Sequence, residues 1–136
     1  MPNEIKVMVE DYHCLYLEAF VMFLLHNGFT VIGQAHNGIE LMESINPLEL
    51  PDIVIINYKT SKPESLNPAR LIKKLHPGIK VIINTQFNYR IPFEEMKEIG
   101  IEGLLIKAKH DSPQIIKILH SVYAGDISYT DSTFIL

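Results

Sequence analysis

The chain has little of what several classes of protein require. With one cysteine among 136 residues it cannot form an intrachain disulfide, which fits a reducing compartment, and we expect a cytoplasmic location. Its 12 basic residues are outnumbered by 16 acidic ones, so it lacks the basic face that nucleic acid binding needs. No apolar run approaches membrane length, and no basic segment followed by an apolar stretch opens the chain. We therefore expect no membrane contact and no direct nucleic acid contact by this domain.

Sequence signatures of common cofactor sites are also missing. No Gly-rich dinucleotide fingerprint and no P-loop occurs, and the six histidines are scattered without the spacing of metal ligands. Residues 11–14, after the first predicted strand, are acidic and bulky where a flavin phosphate would need a Ser, Thr or Gly-rich turn. A flavodoxin-like flavin binder is therefore the less favoured alternative.

What is present is a regular alternation of strands and helices. The apolar run at residues 53–56, with a polar start and a polar loop behind it, predicts a strand buried on both faces. The remaining strands are predicted at residues 5–9, 30–35, 80–84 and 103–106, and the helices at 14–27, 38–45, 67–75, 92–99 and 112–123. This order predicts an α/β fold, a doubly wound five-stranded parallel sheet of flavodoxin-like order 2-1-3-4-5 with helices on both faces.

Local signals support these boundaries. Asn37, Asn67 and Ser112 are predicted to cap helices, the last two with proline following, and Gly33 is expected to weaken or bend the second strand.

Ligands bind beyond the carboxyl ends of strands in such sheets. Five polar side chains are expected to converge there, namely Asp11, Tyr12, Asn57, Thr85 and Lys107.

These stretches, in this order and spacing, resemble the receiver domain of two-component response regulators. They are most similar to the branch that precedes LuxR-type helix-turn-helix output domains. The matching stretches are residues 5–13, 33–41, 51–57, 71–85 and 100–107. The resemblance implies a receiver domain over residues 1–124, and a tail or the start of a linker to an output domain over 125–136.

The resemblance also implies a role for each position in the cluster. In that family an aspartate ending the third strand accepts a phosphoryl group and two acids after the first strand hold Mg²⁺, while a Ser or Thr ends the fourth strand and a Lys the fifth. Asp11 matches the first acid, Thr85 the hydroxyl and Lys107 the lysine, whereas Tyr12 stands in place of the second acid and Asn57 in place of the phosphoacceptor.

Three further positions depart from the family pattern. Ser61 stands at the usual proline and Ser65 at the usual glycine of the loop after the third strand. Leu104 stands where many members carry a switching aromatic residue.

The chemistry of an amide at residue 57 predicts a pseudo-receiver that is not an enzyme. Asn57 carries no charge and cannot form a stable acyl phosphate. Asp11 against Lys107 gives no net charge, so Mg²⁺ binding is predicted to be weak or absent, with Asp11 and Asn57 as residual candidate ligands. Lys107 is instead expected to pair with Asp11 or to donate to Asn57.

Several alternatives remain open in the sequence. Glu10 is expected to point away from the site or to cap a neighbour, but a conventional phosphorylatable receiver with a shifted acid, Glu10 or Asp11, is the main competing hypothesis. Expected partners are proteins: a sensor kinase, an output domain, and a second copy in a homodimer. Phe87, Tyr89 and Phe93 form either an exposed contact face or part of the core, and the tail either docks on the domain or leads to more protein.

Overall fold

The computed structural model describes residues 4–59, 62–86 and 90–129. In these ranges every predicted strand and helix is present, with bounds within two residues of those expected from the sequence. The strands are β1 (Lys6–Glu10), β2 (Thr30–Ala35), β3 (Ile53–Tyr58), β4 (Lys80–Thr85) and β5 (Gly103–Ile106). The helices are α1 (Cys14–His26), α2 (Gly38–Ser44), α3 (Asn67–Leu75), α4 (Phe93–Ile99) and α5 (Ser112–Tyr123), and a 3₁₀ turn (Pro63–Leu66) precedes α3.

The strands form one parallel sheet in the order β2-β1-β3-β4-β5, which confirms the predicted topology. The pairing of β1 with β2 shifts between Val7 and Met8, so that Val7 faces Val31 and Met8 faces Gly33. The irregularity expected near Gly33 is therefore a one-residue bulge in β2.

Helices cover both faces of the sheet and enclose two apolar layers. Alternate residues of β3 point to opposite faces, with Ile53 and Ile55 toward α1 and α5, and Val54 and Ile56 toward α2, α3 and α4. All four are fully buried, as the continuous apolar run predicts. With both faces covered, the carboxyl ends of the strands remain open for a site.

Two of the three predicted helix caps differ from what the sequence suggested. Asn37 caps α2 as expected, its side chain accepting the backbone N–H of Glu40 at 2.8 Å. Asn67 does not cap α3, because the 3₁₀ turn runs directly into the helix and gives Asn67 helical angles of −59° and −41°.

The third cap is displaced by one residue. Asp111, rather than Ser112, caps α5. Its carboxylate accepts the backbone N–H of Gln114 at 3.0 Å, and the Gln114 side chain accepts the N–H of Asp111 at 2.8 Å. This reciprocal capping box satisfies two N–H groups, which a serine at the next position would not do.

The chain beyond α5 packs on the domain as far as the structure describes it. The backbone N–H of Ser128 donates to the carbonyl of Glu102 at 2.9 Å, and the buried Tyr129 donates its hydroxyl to the carbonyl of Ile101 at 2.8 Å. The Tyr129 ring stacks on Phe93 with centroids 6.2 Å apart. Ser128 and Tyr129 therefore dock on the domain, whereas residues 125–127 are exposed. Residues 130–136 lie outside the described ranges.

Phe93 itself is half-buried against the core, so the core alternative holds for this residue. Phe87 and Tyr89, the other two members of the predicted contact face, lie outside the described residues. No helix in the described part of the chain is long and apolar enough to cross a membrane.

Candidate functional site

Lys107 connects the carboxyl ends of three strands. It follows β5, and its Nζ donates to Asp11 Oδ2 at 2.9 Å and to Asn57 Oδ1 at 3.1 Å. The two contacts that the sequence suggested as alternatives therefore occur together. The side chain of Asp11 is only 1% exposed and that of Lys107 is 13% exposed, so the ion pair is almost fully withdrawn from water.

The backbone fixes Asp11 in this position. Its N–H donates to the carbonyl of Ala35 at 3.0 Å, and its Oδ1 accepts the N–H of His13 at 2.9 Å. The ring of His13 in turn caps α1 by accepting the N–H of Tyr16 at 3.2 Å. Asp11 thus links the end of β1 to the start of α1.

Tyr16 is a third neighbour of Lys107, and the sequence did not indicate it. Lys107 Nζ lies 3.9 Å from the centroid of the Tyr16 ring, within the range of a cation–π contact. The Tyr16 hydroxyl accepts a hydrogen bond from Asn84 Nδ2 at 3.1 Å, and burial raises the pKa of this hydroxyl above its usual value. No local motif in α1 marks residue 16 as a neighbour of the lysine that follows β5.

Glu10 faces the site, so of its two expected placements the one that points away is wrong, and the one that caps a neighbouring backbone group is present. Its Oε1 accepts the backbone N–H of Asn57 at 3.3 Å, and the residue is 8% exposed. β1 extends one residue further than predicted, pairing Glu10 with Ile56 and turning its side chain to the same face as Met8. Burial raises the pKa of Glu10 from 4.5 to about 7; the Asn57 N–H opposes the shift and Asp11 adds to it.

Glu10 also changes the charge of the cluster. Glu10 and Asp11 against Lys107 leave a net charge of −1 when Glu10 is ionised and zero when it is protonated. The sequence-based count of zero, which used Asp11 and Lys107 alone, omitted this second acid.

Tyr12 does not enter the cluster. It is 53% exposed, and Lys59 Nζ lies 3.3 Å from the centroid of its ring. The loop after β3 closes through Ser65, whose hydroxyl accepts the N–H of Lys59 at 3.2 Å and donates to the carbonyl of Lys62 at 2.5 Å. Ser61 lies outside the described residues.

Thr85 and Leu104 lie deeper than the cluster. Thr85 ends β4 opposite Tyr58, is fully buried, and accepts the N–H of Lys107 through its carbonyl at 2.8 Å. Leu104 pairs with Ile83 and belongs to the apolar layer beneath α3 and α4. Thr85 therefore contacts the site residue Lys107 through its backbone carbonyl, and Leu104 is part of the core.

The oxygens of Asp11 and Asn57, the two residual candidate ligands of a divalent cation, are already engaged. Asp11 Oδ2 and Asn57 Oδ1 both accept from Lys107, and Asp11 Oδ1 accepts from His13. Within the described ranges no three His, Cys, Asp or Glu side chains form a group that could hold a metal ion. The donor set does not fit Mg²⁺ as arranged, because the lysine ammonium lies between the two oxygens that would have to share the ion.

A doubly wound parallel sheet in the order β2-β1-β3-β4-β5 defines a flavodoxin-like fold, and an acid and a lysine pair at the carboxyl ends of its strands. Comparison with known proteins agrees. The chain is 30% identical over 122 residues to the transcriptional regulatory protein LnrK of Bacillus subtilis, covering 89% of this chain and 54% of that protein. It is 29% identical over 123 residues to the response regulator GacA of Pseudomonas syringae, covering 89% and 56%. No protein-family model matches the chain.

Solved structures show the same fold. The isolated REC domain of RcsB from Salmonella enterica superposes with a TM-score of 0.76 at 19% identity, covering 96% of each chain. A LuxR-family response regulator from Aurantimonas superposes with a TM-score of 0.82 at 18% identity, covering 96% of this chain and 92% of that one. The homologues of this chain are thus response regulators, and the solved structures that share its fold include a receiver (REC) domain and a LuxR-family regulator. It spans about half the length of the curated relatives it matches.

Proposed function

We propose that this receiver is a pseudo-receiver, a non-enzymatic signalling module that acts through protein contacts without phosphorylation at residue 57. The observation that carries the proposal is the neutral amide of Asn57 at the end of β3, with its oxygen bound to Lys107 at 3.1 Å. Phosphoryl transfer to a side chain needs an anionic nucleophile in line with the donor. An amide offers neither the charge nor a free lone pair on nitrogen.

The proposal includes weak or absent Mg²⁺ binding. A receiver with three acids and one lysine has a net charge of −2 at this site. Here Glu10 and Asp11 with Lys107 give a net charge of −1 when Glu10 is ionised and zero when it is protonated. A divalent cation would lose part of its electrostatic attraction and would have to displace Lys107 from a buried carboxylate.

Protein partners follow from the family rather than from the site. We include a sensor kinase, an output domain and a homodimer among the proposed partners, and a cytoplasmic location with them. A structural neighbour, RcsB, was solved as two dimers bound to two parallel DNAs. Since the chain covers about half of its relatives, we propose that it is the amino-terminal part of a helix-turn-helix transcriptional regulator. The excess of acidic residues argues against DNA contact by this domain itself.

The position of Glu10 favours one second candidate, a receiver phosphorylated on a shifted acid. Glu10 and Asp11 are both carboxylates beside Asn57, so either is a chemically possible acceptor. Two features weigh against it: Asp11 is bound to Lys107 and His13, and burial raises the pKa of Glu10 to about 7, which leaves only part of this carboxyl ionised at neutral pH. A protonated carboxyl is a poor nucleophile.

Incubation with acetyl phosphate and Mg²⁺, followed by intact-mass measurement, tests the proposal. We expect no added mass. A stoichiometric gain of one phosphoryl group would overturn it, and peptide mapping would then assign the modified residue to Glu10, Asp11 or elsewhere. The Asn57→Asp chain in the same reaction serves as the matched control. A colourless purified protein would rule out the flavin alternative.

A further inference from the structure

A cavity of about 800 Å³ opens beside the Lys107 cluster. It lies between the carboxyl ends of β1 and β3 and the amino-terminal parts of α2 and α3. Its helical wall is apolar and is formed by Ile39, Met42, Pro68 and Leu71. The volume falls within the range of small-molecule sites, which are mainly apolar with a few placed polar groups.

The helices that form this wall are held at a fixed separation. Gly38, at the start of α2, packs so closely on α3 that a Cβ atom there would lie 2.6 Å from Cγ of Pro68. The cavity is therefore bounded by a tight helix contact on one side and by the sheet on the other.

The inner end of the cavity carries two buried polar side chains. Glu10 and Asn57 line it, and they are 8% and 6% exposed. Because a lysine ammonium can only donate, the Asn57 oxygen faces Lys107 and the Asn57 NH₂ group is turned away from it. In the described part of the chain, neither this NH₂ group nor Glu10 Oε2 has a hydrogen-bond partner.

The pair brings an acceptor and a donor to the same end of the cavity, since Glu10 Oε1 accepts the backbone N–H of Asn57 at 3.3 Å. Its complement is a group with a donor and an acceptor side by side, as in a carboxamide or a lactam. Groups of both signs surround the cavity in nearly equal number. A ligand of either charge would therefore lie near groups of its own sign as well as near groups of the opposite sign. The acids are Glu10, Asp11, Glu43 and Glu64, and the bases are Lys59, Lys62 and Lys107.

We propose that this cavity binds an uncharged small molecule with an apolar body and a carboxamide or lactam edge. The edge donates to Glu10 and accepts from the Asn57 amide, and the body packs against Ile39, Met42 and Leu71. The inference rests on the proposed function in one respect, that residue 57 works as an amide rather than as a phosphoacceptor. Binding would then supply the input that phosphorylation supplies in other receivers.

Naphthamide is the probe, and its binding is measured by the changes it causes in the backbone amide chemical shifts of the full chain. We expect saturable shifts at Ile39, Met42 and Leu71. Acetylnaphthalene, which lacks the donor, and naphthoate, which is charged, are expected to bind at least about tenfold more weakly, because each loses part of the paired hydrogen bonding. Equal binding of all three probes, or shifts that map away from the cavity, would overturn the proposal.

Two variants locate the site. Leu71→Lys places a charge in the apolar wall and is expected to abolish the shifts, whereas Leu75→Lys, on the same helix but outside the cavity lining, leaves them unchanged. Asn57→Asp replaces the donor by an acceptor and is expected to weaken naphthamide and acetylnaphthalene alike, each about tenfold, because the carbonyl of both probes accepts from the Asn57 amide.

The outcomes separate this inference from the proposed function. A wild-type chain that gains a phosphoryl group contradicts the proposed function whatever the probes do. A chain that stays unmodified and binds no naphthamide, up to the solubility limit of the probe, overturns the proposed ligand site but not the proposed function. The cavity would then be expected to bind an apolar side chain of a protein partner.

Discussion

Lys107→Met takes the cation away from a carboxylate that has almost no contact with water. Asp11 is 1% exposed, and without the ammonium its remaining partner is the N–H of His13. Removing one member of a buried ion pair typically costs about 3–5 kcal/mol, because an uncompensated charge stays buried. Against a total stability of about 5–15 kcal/mol for a domain, this is a large fraction. We expect the free energy of unfolding to fall by about 3 kcal/mol, measured by urea denaturation.

The matched control is Arg70→Met, which breaks an ion pair between α3 and α4. The side chains of Arg70 and Glu95 are 45% and 47% exposed, and such exposed pairs contribute less than about 1 kcal/mol. Asp11→Asn combined with Lys107→Met removes both charges, so it is expected to recover most of the loss. The reasoning is refuted if Lys107→Met costs no more than Arg70→Met, or if the neutral pair is as unstable as the single variant.

Two further predictions concern Glu10 and the carboxyl-terminal segment. Because burial raises the pKa of Glu10 from 4.5 to about 7, the folded chain holds a proton that the unfolded chain releases, and stability falls as pH rises through that window. Glu10→Gln removes this dependence and is expected to be more stable than wild type by about 3 kcal/mol at pH 8, measured by urea denaturation; an unchanged pH slope would contradict it. Tyr129→Phe keeps the ring on Phe93 but loses the hydrogen bond to Ile101, and is expected to cost about 1 kcal/mol in thermal denaturation. A melting temperature equal to that of wild type would show that the segment does not stabilise the domain.

The fold could be predicted from the sequence because its signals are local and agree with one another. The apolar run at residues 53–56 predicts a central strand by itself, and the short loops between elements restrict the topology to a doubly wound sheet. Where a local signal was ambiguous by one residue, the prediction was wrong. Asp111 and Ser112 are both good caps, and only the turn geometry selects the aspartate.

The site was predicted less completely, for two physical reasons. A strand ending one residue later carries Glu10 into the cluster, since side chains alternate across a sheet. The contact of Lys107 with Tyr16 depends on how α1 packs over the end of β5, and no periodic pattern encodes it. The hydrogen bonds of Lys107 to Asp11 and Asn57 could be predicted from the sequence, because parallel strands bring their carboxyl ends to one edge of the sheet.

The central claim is that Lys107 and the amide of Asn57 together leave no place for Mg²⁺, and a paired Mg²⁺ titration tests it most directly. The wild-type chain and Asn57→Asp are compared through the backbone amide shifts of Asp11 and residue 57. Asn57→Asp brings a third carboxylate beside Glu10 and Asp11, restores a net charge of −2 and is expected to bind Mg²⁺ saturably. The wild-type chain is expected to show no saturable shift. Saturable Mg²⁺ binding by the wild-type chain at these residues would contradict the account.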